Sequence, residues 1–382
     1  MHRSQQAPVL AALGASPAEV EELLAYNENL FDLDALGAET RFPLPDEPFV
    51  EFWEPVVNAA RERGAFAVLR EHLPQLSFPI REGISTTEAY RAATRSGAPV
   101  ETLPEATGLE LDEPEAIDVV LHPSAAGRIP LLIARSRGAF VALIRALTKK
   151  NEPVPVPPSQ GALMVSGYNN WSRIRELRRR WEAREPAGRE TAASATWNEE
   201  FARITPHREL YQDRFILLSD GPYSGVPAAD LGLAETAWKE MSLVLRREHE
   251  CAHYFTRRLF GSMRNNLLDE LIADYAGITA VAGHFRADWC LRFLGARLEI
   301  YRGNPPLSDG AFQIVPALVK AAAENLERFE ESLPEENGIE EKAARITALA
   351  SLRLEDLAGP DAADRLGRAM DAARAHGTGS GR

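Results

Sequence analysis

Leu245-Arg246-Arg247-Glu248-His249-Glu250-Cys251-Ala252-His253-Tyr254-Phe255 is the stretch on which the reading of this chain turns. The surrounding apolar set, Met241, Leu243, Val244, Leu245, Tyr254 and Phe255, partly wraps a helical cylinder and predicts a deeply buried helix over Glu235–Phe260. Gly261 follows as its natural C-terminal stop. On such a helix His249 and His253, four residues apart, project from one face and can share a single metal ion. Glu250, between them, sits where it can hold and deprotonate a water molecule. A buried His-Glu-His group with no compensating partner would be costly, and a divalent cation removes that cost.

Two histidines leave such an ion short of a protein ligand, and the next predicted helix, Leu267 to Ile278, offers one. Its Leu, Ile and Ala positions pack inward, while Glu270 and Asp274 share a face at i and i+4. Glu270 is assigned as the third ligand, and the expected cofactor is one Zn2+ per chain. Asp274 is expected to accept the free ring N–H of His249 or His253 and so to set its tautomer. Asp269 is the rival ligand, but it points about 100° away around the helix and has no carboxylate at i+4.

Outward from these helices the chain reads as α+β and helix-rich, with a zincin-like metal site on two adjacent helices beside a small mixed sheet. Residues 1–110 are read as a helical region, 111–260 as a mixed segment ending in the HExxH helix, 261–376 as a helical segment and 377–382 as a flexible tail. Ser16-Pro17-Ala18-Glu19 carries a capping box and starts one helix, and another is expected from about Pro48 to Arg63. Ala7–Ala15 reads only as a brief apolar stretch broken by Pro8 and Gly14, and 66–110 as mixed with helix near Thr87–Ser96. The short β-branched and apolar runs 117–121, 129–133, 162–165 and 214–219 are read as strands, and 138–150 and 171–184 as helices. The proline-rich run 153–158 is an extended connector.

Composition excludes several functional classes. A formal charge of −13 argues against a nucleic-acid binder. The basic helix carrying Arg173, Arg175, Arg178, Arg179, Arg180 and Arg184 is interleaved with Glu176 and Glu182 and reads as a solvated face. Only Cys251 and Cys290 occur, so there is no disulfide framework. No window approaches a membrane span and no signal peptide is apparent, which makes a cytoplasmic location the expectation.

His249-Glu250-x-x-His253 followed by Glu270-x-x-x-Asp274 resembles the active site of the gluzincins, the thermolysin-type zinc metallopeptidases. The resemblance covers residues 245–278 only. The sixteen residues between His253 and Glu270 are slightly fewer than in the best-known members, and the metzincin spacing of a further glycine and histidine is absent. A di-iron carboxylate site would need a second Glu-x-x-His, which the chain lacks. The resemblance implies zinc-dependent hydrolysis of a peptide or amide bond, with Glu250 as general base. The alternative is a metal enzyme with the same ligands acting on a small metabolite, and a second alternative is a structural metal site or binding module. The expected partner is thus a peptide or small-molecule substrate, with neither nucleic acid nor membrane.

Arg264, Tyr223, Tyr168, Tyr211 and His284 are candidates for substrate or oxyanion contacts. His122 and His207, like His284, lack a spaced partner and read as structural. The resemblance would make Arg214–Ser219 a cleft-border strand that pairs with an extended substrate, and the residues read equally as an ordinary sheet strand. Asn170 reads as a helix N-cap ahead of Trp171.

Overall fold

The computed structural model describes residues 3–37, 40–184, 196–263, 266–334 and 338–377. The chain packs into two compact units. Met1–Pro45, Ser124–Gly127 and Gly221–Arg382 form one; Asp46–Pro123 and Arg128–Asp220 form the other. These units cut across the linear segments 1–110, 111–260 and 261–376, because the N-terminal helices group with the C-terminal ones.

The first unit opens with α1 (Arg3–Ala12) and α2 (Pro17–Tyr26). The capping box forms as read: Glu19 N–H donates to Ser16 Oγ at 3.4 Å and Ser16 N–H to Glu19 Oε2 at 2.7 Å. α1 is a helix where the sequence suggested only a broken apolar stretch. Pro8 removes one helical hydrogen bond, and tertiary contact compensates: the buried Gln6 amide donates to the Asp356 carboxylate at 3.3 Å.

The second unit contains α3 (Val50–Arg63), α4 (Ala65–His72), α5 (Glu88–Ser96), β1 (Ile117–His122), β2 (Ile129–Ala134), α6 (Arg137–Thr148), β3 (Ala162–Asn169), α7 (Trp171–Arg184), α8 (Trp197–Ile204) and β4 (Gln212–Ser219). The sheet order is β1-β2-β4-β3. β2 and β4 run parallel, paired Leu131 to Ile216 through Ala134 to Ser219, and the outer pairs are antiparallel. β2 is buried at all six positions, as expected of an apolar run covered on both faces. Trp53, Phe140 and Phe215 lie at the centre of this unit's core.

β4 is therefore an interior strand, and of the two readings of Arg214–Ser219 this selects the ordinary sheet strand over the border that pairs with substrate. Ile216 to Ser219 are paired with β2 on one side while β3 pairs along the other, which leaves no free edge for an added strand over that stretch. Asn170 is the N-cap of α7, with Oδ1 accepting from Ser172 N–H at 3.0 Å and Arg173 N–H at 3.1 Å. Arg173 departs from the expected solvated face: it is buried and donates to Asp213 Oδ1 at 2.6 Å. Arg178, Arg179 and Arg180 keep to that face, paired with Glu182 and Glu176 along the helix.

The chain then returns to the first unit through α9 (Glu235–Phe260), α10 (Asn266–Ala282), α11 (Ala287–Gly295), α12 (Asp309–Glu330), α13 (Gly338–Ala350), α14 (Leu354–Ala358) and α15 (Ala362–Gly377). Of the expected tail, Gly377 still belongs to α15, and 378–382 lie outside the described residues. α10 folds back antiparallel on α9, so closely that a Cβ at Gly277 would stand 2.7 Å from the Leu245 carbonyl oxygen. α13 is tied to α9 by the Lys342–Glu248 ion pair, and Arg345 joins it to Glu330 and Tyr275. The fold is α+β and helix-rich. Among the described residues no helix is long and apolar enough to cross a membrane.

Candidate metal centre

The α9–α10 hairpin sets the site through its register. Leu245 meets Gly277, His249 meets Asp274, and His253 meets Asp269, so each turn back along α9 matches one turn forward along α10. His249 Nδ1 lies 2.9 Å from Asp274 Oδ1, and His253 Nδ1 lies 3.0 Å from Asp269 Oδ2, the latter approach short but poorly aligned. Both carboxylates are buried. Asp274 hydrogen-bonds His249 Nδ1 and Asp269 stands against His253 Nδ1, so in each ring Nε2 is the nitrogen turned toward the cluster.

Those two nitrogens are 3.1 Å apart, and the Glu270 carboxylate faces both, with Oε2 3.8 Å from His249 Nε2 and Oε1 3.6 Å from His253 Nε2. A tetrahedral ion with ligands at about 2.1 Å separates its ligand atoms by roughly 3.4 Å. The three observed separations bracket that value, so His249, His253 and Glu270 fit a divalent ion. The chemistry of the donors points the same way, since two facing imidazole lone pairs and a carboxylate need a cation or a proton between them. Burial lowers the pKa of His253, but Asp269, Glu270 and Glu250 outweigh it and push the value up to about 10. Burial likewise raises Glu270, and the two histidines and Arg297 more than reverse it, holding its carboxyl below the usual range. This is a pocket of negative potential shaped around a positive charge.

Asp274 thus serves His249, and Asp269, weighed earlier as a rival ligand, stands behind His253. Thr256 Oγ also donates to Asp269 Oδ1, at 3.2 Å. Glu250 is partly exposed next to His249. Tyr223 is buried on the side of His249 away from the ligand cluster, its hydroxyl 2.7 Å from Nδ1 and 2.5 Å from Asp274 Oδ1. It is therefore not aimed where a substrate oxyanion would form. Tyr168 and Tyr211 belong to the other unit, where their hydroxyls donate to Gln75 Oε1 at 2.6 Å and the Thr205 carbonyl at 3.0 Å. His284 is exposed just past the C-terminus of α10, about 20 Å along the helix axis from Glu270. Arg264 lies outside the described residues.

Two residues of the site went unread in the sequence. Arg297, just past α11, donates to Glu270 Oε2 at 3.1 Å and to Asp274 Oδ2 at 3.2 Å. It bridges a ligand to the partner of another ligand. The other is Tyr301, whose phenol is pushed above its ordinary range by burial and by the Glu270 carboxylate beside it. Neither residue has a local pattern that ties it to the HExxH helix; both arrive through the α11 connection.

Residues 8–361 match the model of a family described as "Family of unknown function (DUF7005)", and the chain belongs to that family. No curated protein and no solved structure matches it.

Proposed function

We propose that this family member is a zinc-dependent hydrolase that cleaves a peptide or amide bond, with His249, His253 and Glu270 as ligands and Glu250 as general base. One observation carries the reading. His249, His253 and Glu270 bring one ligand atom each within 4.8 Å of one another, with a buried carboxylate at the Nδ1 of each histidine, directly beside a glutamate that no metal-holding role requires. A helix pair with a glutamate ligand and an aspartate behind a histidine is also what the likeness to gluzincins implies.

An ion held by His249, His253 and Glu270 would supply Lewis acidity for a water and a scissile carbonyl. The remaining steps belong to the chain itself. Glu250 accepts a proton from the attacking water and returns it to the leaving nitrogen, a contribution of about 10²–10⁴ in rate. Asp269 and Asp274 keep both imidazoles in the Nδ1–H form throughout, and Arg297 holds the Glu270 carboxylate in place.

Metal analysis of the purified protein should find one zinc per chain, lost in His249→Ala. Glu250→Gln should keep the metal and lose at least about 10²-fold in turnover of a peptide library. Metal-replete wild type that leaves such a library intact would sink the peptide reading; metal content unchanged in His249→Ala would sink the site.

A further inference from the structure

The loop between β4 and α9 is bound to α9 at three points. Arg246 donates to the Gly221 and Pro222 carbonyls at 3.0 and 3.1 Å. Tyr223 N–H donates to Ser242 Oγ at 3.1 Å, and Trp238 Nε1–H to the Val226 carbonyl at 2.8 Å. Within the loop Ser224 adopts φ 52° and ψ 15°, the left-handed region a non-glycine residue avoids, and its hydroxyl oxygen is buried without a partner. Such strain persists only where the surroundings enforce it. The Tyr223 ring is held by the guanidinium groups of Arg246 and Arg297, each 5.7 Å from its centroid, and by Phe293 edge-on at 4.9 Å. The product of all this is one phenol oxygen placed against both His249 Nδ1 and Asp274 Oδ1.

We propose that Tyr223 and Asp274 together form a tautomer lock on His249, and that the 221–226 loop is kept in its strained turn to hold the phenol in that lock. The inference rests on the reading that the ion binds His249 Nε2. A phenol beside an imidazole nitrogen is ambivalent by itself. Donating its O–H to Nδ1 would force the imidazole proton onto Nε2 and close the metal position. Asp274 removes the ambiguity, because its Oδ1 accepts from both the phenol and Nδ1–H. The phenol in turn fills the remaining side of Oδ1 and fixes the carboxylate that directs it. Tyr223 is thus a positioning residue.

The lock predicts a reversal of sign. In Asp274→Asn, Arg297 Nη2, which donates to Oδ2 at 3.2 Å and less closely to Oδ1 at 3.4 Å, draws the amide oxygen to the Oδ2 side, so the NH2 takes the place of Oδ1. The tyrosine then accepts from the amide and donates to Nδ1, and the imidazole takes the wrong tautomer, as in carboxylate-to-amide changes behind catalytic histidines. Tyr223→Phe should therefore weaken zinc binding in the wild-type background and strengthen it in the Asp274→Asn background.

Zinc dissociation constants by chelator competition test this, with 15N NMR of the metal-free histidines as a second readout. We expect Tyr223→Phe to bind about tenfold more weakly and Asp274→Asn about 100-fold more weakly. The double variant should bind more tightly than Asp274→Asn alone. The Asp274→Asn spectrum should show the His249 proton moved to Nε2, and the double variant should show it restored to Nδ1. Tyr223→Phe that binds like wild type, or a double variant no tighter than Asp274→Asn, overturns the lock. Ser242→Ala loosens the loop without touching the cluster; should Tyr223→Phe fail to fold, this variant must show several-fold weaker binding for the lock to stand. A wild-type protein that takes up no zinc would instead refute the metal reading beneath it.

Discussion

Replacing Gly277 by alanine should destabilise the protein and weaken its metal site together, although the same change in an exposed helix would stabilise it. Alanine is favoured over glycine in a helix interior by about 1 kcal/mol. Here the new Cβ would lie 2.7 Å from the Leu245 carbonyl oxygen and 3.0 Å from Leu245 Cδ2. A comfortable C···O contact is about 3.3 Å, so α10 must withdraw from α9 by about 0.6 Å at the crossing. Overpacking of this kind costs about 1–3 kcal/mol, which leaves a net loss of about 1 kcal/mol. Gly277 is about one turn from Asp274 and two from Glu270 on the same helix, so the withdrawal reaches the ligands. Metal sites tolerate about 0.5 Å of displacement, and zinc affinity should fall at least tenfold. Denaturant unfolding of metal-free protein and chelator competition measure the two effects. A Gly277→Ala protein more stable than wild type, with zinc affinity unchanged, would refute the close-packing argument.

Two further predictions come from titrating groups. With His253 pushed up to about 10, the metal-free protein holds a proton where the ion binds; zinc uptake at pH 8 should release about one proton, and affinity should rise with pH until about 10. Calorimetry in buffers of different ionisation enthalpy measures this, and zero protons released would contradict the assigned electrostatics. Burial raises Glu355 to about 7 even though its carboxylate accepts from Asn27 at 2.8 Å. Its folded pKa exceeds the ordinary value, so the folded state binds the extra proton. Its contribution is fully present below about pH 4.5 and is lost as pH rises to about 7, with up to about 3 kcal/mol at stake. Glu355→Gln should flatten that part of the stability profile; an unchanged slope would refute the assignment.

Much of the local structure was legible because it depends on short-range rules. Apolar periodicity and Gly261 bounded α9 at Glu235 and Phe260, and Ser16-Pro17-Ala18-Glu19 spelled out its capping box. The misses have tertiary causes. α1 looked broken at Pro8 until contact with α14 supplied what the helix lacked. Arg214–Ser219 was visible as a strand, but strand order is not a local property, and only pairing on both sides made it interior.

The candidate site divides in the same way. That His249 and His253 share a face, with Glu250 beside them, follows from the helical repeat and was settled by residue spacing alone. The helical repeat separated Glu270 from its neighbour Asp269 by about 100°, but which histidine each carboxylate meets was decided by the α9–α10 register, which sets Asp269 against His253 Nδ1 and Glu270 toward both Nε2 atoms. Tyr223 reaches His249 across 26 residues of chain, and Arg297 reaches Glu270 across 27. No period links such positions, and their convergence exists only once the loop and α11 have packed.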